Sequence, residues 1–238
     1  MIDALYVAAS GMNAVERLLE TSSHNTVNSQ TPGYQHRRAI LENFGAFLDG
    51  AQQRADLIGA RETLDFAQGD LRSNESPTAL ALEGPGFFVV RSGGNDYLTR
   101  NGDFRMDLEG QLVTRAGYPL VGSDGSVVRL NPDGGAPRIE EDGAILQDGA
   151  EVGRIRVVEL TDDETDQLTP AAETLYGIPK SVNPSDASQT FVRQGFLEMP
   201  PFAMKSLVEM LVANRNYESM QRAVRTIDRV TQTTLRSV

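Results

Sequence analysis

Few residues in this chain are of types that make or break bonds, and their spacing assembles no reacting set. There are two histidines, His24 and His36, and no cysteine. His24 lies in the polar run Thr21-Ser22-Ser23-His24-Asn25-Thr26, and His36 follows a Pro-Gly turn. A general base or metal ligand needs a phased partner, so a solvated or helix-packing histidine is the better reading of both. Asp162-Asp163-Glu164 gathers three acids but reads as a charged loop. The stretch from Asn131 to Gly143 is rich in acid and glycine, yet it lacks the alternating oxygen ligands of a calcium loop. Gly84-Pro85-Gly86 looks like a phosphate cradle, but it leads into a strand where such a cradle should open a helix. No Gly-x-Ser-x-Gly elbow, phosphate loop or His-Glu-x-x-His stands anywhere in the chain. No catalytic residue, cofactor site or metal site is assigned, and the chain is not expected to be an enzyme.

The elements around these residues point to assembly instead. Near the start, apolar residues fall at Leu5, Ala8, Met12, Val15 and Leu19. Near the end they fall at Leu207, Met210, Leu211, Tyr217, Met220, Val224 and Ile227. Steps of three and four make a narrow stripe suited to a helical partner. The last helix is expected to run for about 38 residues, roughly 57 Å at 1.5 Å per residue, with Asn214 and Thr231 as polar interruptions that set register. The expected fold class is α+β: long N- and C-terminal helices packing as a coiled-coil-like inner domain, around a central, mainly antiparallel β domain.

The N-terminal helix is expected from about Asp3 to the neighbourhood of Asn28. Its last third is Ser-, Thr- and Asn-rich, and such side chains compete for backbone hydrogen bonds. That end needs a surface its polar groups can bond. Thr31-Pro32-Gly33-Tyr34 then stops the helix, because proline disfavours a helical residue before it and glycine permits a positive φ. Residues 35–68 are mixed: Arg37-Arg38-Ala39-Ile40-Leu41 is a candidate strand start, Ala51 to Asp65 shows neither period, and the whole reads as a partly ordered connector. From Gly69 onward the signal is β. Asn101-Gly102, Glu109-Gly110, Ala116-Gly117, Asp124-Gly125, Asp133-Gly134, Asp142-Gly143 and Asp148-Gly149 punctuate the chain, as short antiparallel strands require. The expected domains are an axial helix and turn over 1–34, a connector over 35–68, a β-rich outer domain over 69–198 and an axial helix over 199–238.

The net charge of −11 is unevenly placed. Arg17, Arg37 and Arg38 balance Asp3, Glu16 and Glu20 in residues 1–40. Residues 201–238 carry six basic and three acidic side chains, a net of +3, which leaves −14 on residues 41–200. An acidic middle suits a solvated outer surface and disfavours nucleic acid. The last helix lacks the aromatic interleaving of a nucleic-acid patch. No apolar run reaches the length of about 18 residues needed to cross a membrane. The N-terminus lacks the features of a cleaved secretory leader, so residence in the cytoplasm or export by another route is expected.

Several runs, in order along nearly the whole chain, resemble the flagellar basal-body rod and hook family. They are Thr31-Pro32-Gly33-Tyr34, Gln68-Gly69-Asp70-Leu71, Leu80 through Phe88, Tyr97 through Asp107, Gly117-Tyr118-Pro119-Leu120-Val121-Gly122, Arg193-Gln194-Gly195-Phe196-Leu197-Glu198 and Asn214-Arg215-Asn216-Tyr217-Glu218. The chain departs from the family where His24, Val27 and Gln30 replace favoured residues, and where Met199-Pro200-Pro201 stands in place of Ser-Asn-Val. The resemblance implies a structural subunit of the periplasm-spanning rod, exported unfolded through the flagellar export apparatus. It further implies a helical tube that transmits torque and encloses the export channel. Its partners would be copies of itself and other axial proteins, with no nucleic acid and no membrane span. The compact length favours a proximal rod protein; a distal rod or hook subunit is the alternative, and an exported glycan-binding β module is another class. The residues expected to pack between subunits are Leu5, Met12, Val15, Leu19, Asn25, Asn28, Thr31, Pro32, Gly33, Tyr34, Leu207, Met210, Leu211, Asn214, Tyr217, Val224 and Ile227.

Overall fold

The computed structural model describes residues 2–43, 58–172, 174–201 and 203–236, with side chains described for 10–40, 62–172, 174–201, 205–226 and 229. In chain order, α1 (Ile2–Val27) precedes β1 (His36–Asn43) and β2 (Ile58–Asp65). Then come β3 (Asp70–Ser73), β4 (Leu80–Glu83), β5 (Phe87–Ser92), β6 (Asn95–Thr99), β7 (Phe104–Met106) and β8 (Leu112–Thr114). They are followed by β9 (Arg138–Ile139), β10 (Ala144–Gln147), β11 (Ala150–Arg154), β12 (Val157–Glu159) and the short α2 (Asp162–Thr165). The last elements are β13 (Thr169–Pro170), β14 (Tyr176–Gly177), β15 (Ser185–Asp186), β16 (Phe191–Gln194), β17 (Phe196–Met199) and α3 (Ala203–Arg236). The chain divides into two compact units, one of Met1–Ser29, His36–Asp65 and Phe202–Val238, the other of Gln30–Gln35 and Phe66–Pro201.

The expected fold class is corrected by this architecture. Among the described residues the elements are mostly strands, seventeen against three helices, of which only α3 exceeds thirty residues. The helices do not pack as a coiled coil. A coiled coil seats apolar knobs along its seam, whereas among the described residues the buried side chains of α3 are Ser206 and Ala213, and those of the second half of α1 are Val15, Thr21, Ser22 and Asn25. Leu207 and Leu211, expected in the seam, are 44% and 62% exposed. Apart from Val15, small and polar residues line the buried side, while the bulky aliphatics Leu207, Val208, Leu211 and Val212 of α3 stay outside.

In this helix–ribbon unit, β1 and β2 pair antiparallel over eight residues, from His36 opposite Asp65 to Asn43 opposite Ile58. Arg38 meets Asp65 at 2.6 Å and Arg37 meets Glu62 at 3.6 Å, so opposite charges support the ribbon across its strands. The ribbon occupies both ends of the stretch read as a connector; residues 44–57 lie outside the described ones.

The β-rich unit is built around a six-stranded sheet, ordered β13-β14-β6-β5-β12-β15, with smaller pairs β16-β4, β17-β3 and β7-β8 and a triplet β11-β10-β9. Phe87-Phe88-Val89-Val90 is buried on both faces, as its unbroken apolar run predicts. Leu80, Leu82, Phe88, Phe104, Leu112, Leu120 and Ile145 form the centre of its core. Met106 is exposed at the last position of β7.

Candidate assembly site

Two surfaces gather the residues singled out from the sequence, one in each unit. In the helix–ribbon unit, the polar end of α1 finds the bonding surface it requires. The Asn25 carboxamide is buried and reads the backbone of β1: Nδ2 donates to the Arg37 carbonyl at 2.8 Å, and Oδ1 accepts from the Arg37 N–H at 3.0 Å. It thereby supplies the pair of hydrogen bonds that a neighbouring strand would. Asn28 Nδ2, Thr26 Oγ1 and Ser29 Oγ donate back to carbonyls of their own helix end. Beside Asn25, the buried His36 ring faces Glu209 of α3. The groove they share has a volume of about 400 Å³, and its lining includes Leu18, Ser22, Ile40, Val208 and Val212.

The second surface lies wholly in the β-rich unit. Gly33 has a φ of +67°, the left-handed conformation that glycine adopts without penalty. Its N–H donates to the Glu198 carbonyl at 2.8 Å, and the Tyr34 N–H closes the turn on the Thr31 carbonyl at 3.3 Å. A Cβ on Gly33 would collide with the backbone of Arg100 and Asn101, and one on Gly69 with the Met199 carbonyl. The Glu198 carboxylate accepts from the Gly69 N–H at 2.9 Å and meets Arg100 Nη1 at 3.5 Å, with both ionic side chains 2% exposed. The guanidinium also lies 5.2 Å above the Phe87 ring, whose neighbour Phe66 stands edge-on to both Phe87 and Tyr176. Four separated runs thus meet at one point: the turn of Thr31–Tyr34, Gln68-Gly69, Arg100-Asn101 and Glu198-Met199. Hydrogen bonds, close backbone approach and one buried ion pair hold them, so this clamp fixes chain geometry and offers no reacting atoms.

The residues expected to pack between subunits separate accordingly. Thr31, Pro32, Gly33 and Tyr34 go to the clamp, with Gly33 and Tyr34 buried. Val15, Asn25 and Asn28 are buried in the helix–ribbon unit, and Met12, Leu19, Met210, Tyr217 and Val224 are half-buried. Leu207, Leu211 and Asn214 are exposed. The side chains of Leu5 and Ile227 lie outside the described residues. Sequence reasoning missed Val208 and Val212, 58% and 50% exposed, which extend the open aliphatic face of α3; their four-residue spacing was the available signal. It also passed over Arg100 and Glu198 as partners, since no local pattern joins residues so far apart. Of the residues weighed for chemistry, His24 is exposed. Glu164 accepts from the Thr161 N–H at 3.0 Å, and these contacts with Thr161 hold its carboxyl below the ordinary range.

Residues 81–147 match the flagellar hook protein FlgE/F/G D1 domain. Over 228 residues the chain is 28% identical to the flagellar basal-body rod protein FlgF of Caulobacter vibrioides, covering 92% of this chain and 91% of that protein. It is 26% identical over 262 residues to the flagellar basal-body rod protein FlgG of Bacillus subtilis, covering 98% and 97%. The chain is similar over nearly its whole length to flagellar basal-body rod proteins. A flagellar hook protein FlgE of Brucella abortus is 37% identical, but over 116 residues that cover only 48% of this chain and 29% of that protein. Rod relatives are matched from end to end and the hook relative only in part, so a hook subunit is the less favoured reading. The runs that meet in the clamp are among those that carried the resemblance, which gives the family likeness a physical content: they hold one another in place.

Proposed function

We propose that this chain is an axial subunit of the proximal, FlgF-like part of the flagellar rod. In this reading its helix–ribbon units pack between neighbouring copies and other axial proteins, and its acidic β-rich unit faces outward. The observation that carries the reading is the aliphatic face of α3: Leu207, Val208, Leu211 and Val212 stand open to solvent in the single chain. Four bulky aliphatics within two helical turns are costly to leave wet and are suited to a neighbour. Contact between unlike faces of identical subunits does not close on itself, and it propagates as a helical tube. A tube of this kind transmits torque and encloses a channel. The FlgF-like position is favoured because the FlgF match fits within the chain's own length, whereas the FlgG match spans 262 aligned positions against 238 residues here. Delivery as an unfolded chain by the flagellar export apparatus suits a protein without disulfides. A structural role without catalysis completes the proposal.

Changing Leu207 and Leu211 together to glutamate tests it. Both side chains are largely exposed, so urea denaturation of the single chain is expected to shift by no more than about 0.5 kcal/mol per site. Incorporation into basal bodies and swimming should both be lost, because charges would enter a contact that excludes water. Normal incorporation of this variant would refute the proposed contact.

A further inference from the structure

Nε2 of His36 sits between a donor on one helix and a carboxylate on another. The residue is 4% exposed. Its Nε2 lies 3.3 Å from Asn25 Nδ2 of α1 and 3.4 Å from Glu209 Oε2 of α3. The Asn25 carboxamide cannot turn over without cost, because Nδ2 and Oδ1 both engage the Arg37 backbone. Its nitrogen therefore faces the ring, with a second hydrogen still to donate. A neutral imidazole whose Nε2 carries no proton accepts that hydrogen and offers nothing to Glu209. A proton on Nε2 reverses both relations: the N–H opposes the Asn25 donor and points a charge-assisted bond at the carboxylate. One ring nitrogen serves one helix at a time.

We propose that His36 is a proton-operated selector, tying β1 to Asn25 of α1 when neutral and to Glu209 of α3 when protonated. The groups that face it are Glu209 and Lys205 from α3, Asp65 from β2, Arg38 from its own strand and the uncharged Asn25 from α1. Burial is the largest influence and holds the imidazole below its ordinary value of 6.5; Glu209 opposes it, with smaller effects from Lys205, Asp65 and Arg38. The ring is accordingly neutral at neutral pH, where the selector requires its Nδ1–H tautomer, with Nε2 bare toward Asn25. Because the unfolded chain takes up its proton near 6.5 and the folded chain only below that, the folded unit binds fewer protons in between. Stability is therefore full above about pH 6.5 and declines as the pH falls from there to the folded midpoint. The device lies wholly in the helix–ribbon unit and operates whatever the chain assembles with.

Proton-detected 15N titration of the full chain tests the selector, with His36→Gln assigning the resonance. Glu209→Gln removes the acceptor of the protonated form and should lower the His36 midpoint by about one pH unit. Asn25→Ala removes the donor to the neutral form and should raise it by a similar amount. Midpoints that fail to move in opposite directions would overturn the selector. If Asn25→Ala frays α1, the unmodified chain still decides. At neutral pH its ring nitrogens should report Nδ1–H with a bare Nε2, and a proton on Nε2 there would overturn the proposal.

Discussion

Replacing Glu198 by alanine is expected to destabilise the β-rich unit by about 3–5 kcal/mol, the cost of breaking a buried ion pair from one side. The substitution leaves the Arg100 guanidinium at 2% exposure without its carboxylate, and it removes the acceptor of the Gly69 N–H. Glu198→Gln should cost less, because an amide oxygen still receives that N–H. The pair itself is separable from its two halves: Arg100→Met with Glu198→Leu, which fills the same space without charge, should recover most of the loss. Urea denaturation checks this, with a lower midpoint and an unchanged slope for the single variant. If the two single losses simply add in the double variant, the clamp does not depend on their pairing.

Gly33→Ala is expected to have the next largest effect. An alanine at φ +67° costs about 1–2 kcal/mol by itself. Its Cβ would also strike the backbone of Arg100 and Asn101, which, unlike a side chain, cannot rotate away. Overpacking of that kind adds about 1–3 kcal/mol, so the sum is about 2–5 kcal/mol and the melting temperature should fall by roughly 5–15 °C. Gly93→Ala is the control: its φ is +57° with nothing within 4 Å of an added Cβ, so only the conformational part should appear. Equal losses at Gly33 and Gly93 would show that the turn does not lean on Arg100 and Asn101.

How much of this was legible in the sequence follows from the range of the forces involved. Turn dipeptides and short apolar runs are local, and the β-rich region and its interior at Phe87–Val90 followed from them directly. The polar end of α1 was readable as a demand, since Asn25 is too costly to bury unbonded, but the Arg37 backbone that answers it was not. The seam of the helices was misjudged for a related reason. Leu207 and Leu211 carry the helical period, yet period alone does not say whether a stripe meets its own chain or stays open; Ser206 and Ala213 took the buried side instead. Glu198 and Arg100 are 98 residues apart, and only folding brings them together.

Thiol labelling tests the central claim, that the open face of α3 is covered on assembly, most directly. The chain has no cysteine, so Leu211→Cys introduces a single reactive group at a position 62% exposed in the lone molecule. A maleimide should label it readily in the purified single chain and fail to label it in intact basal bodies, with reactivity restored when those are dissociated. Equal labelling in both forms would show the face open in the assembled rod, and would contradict the account.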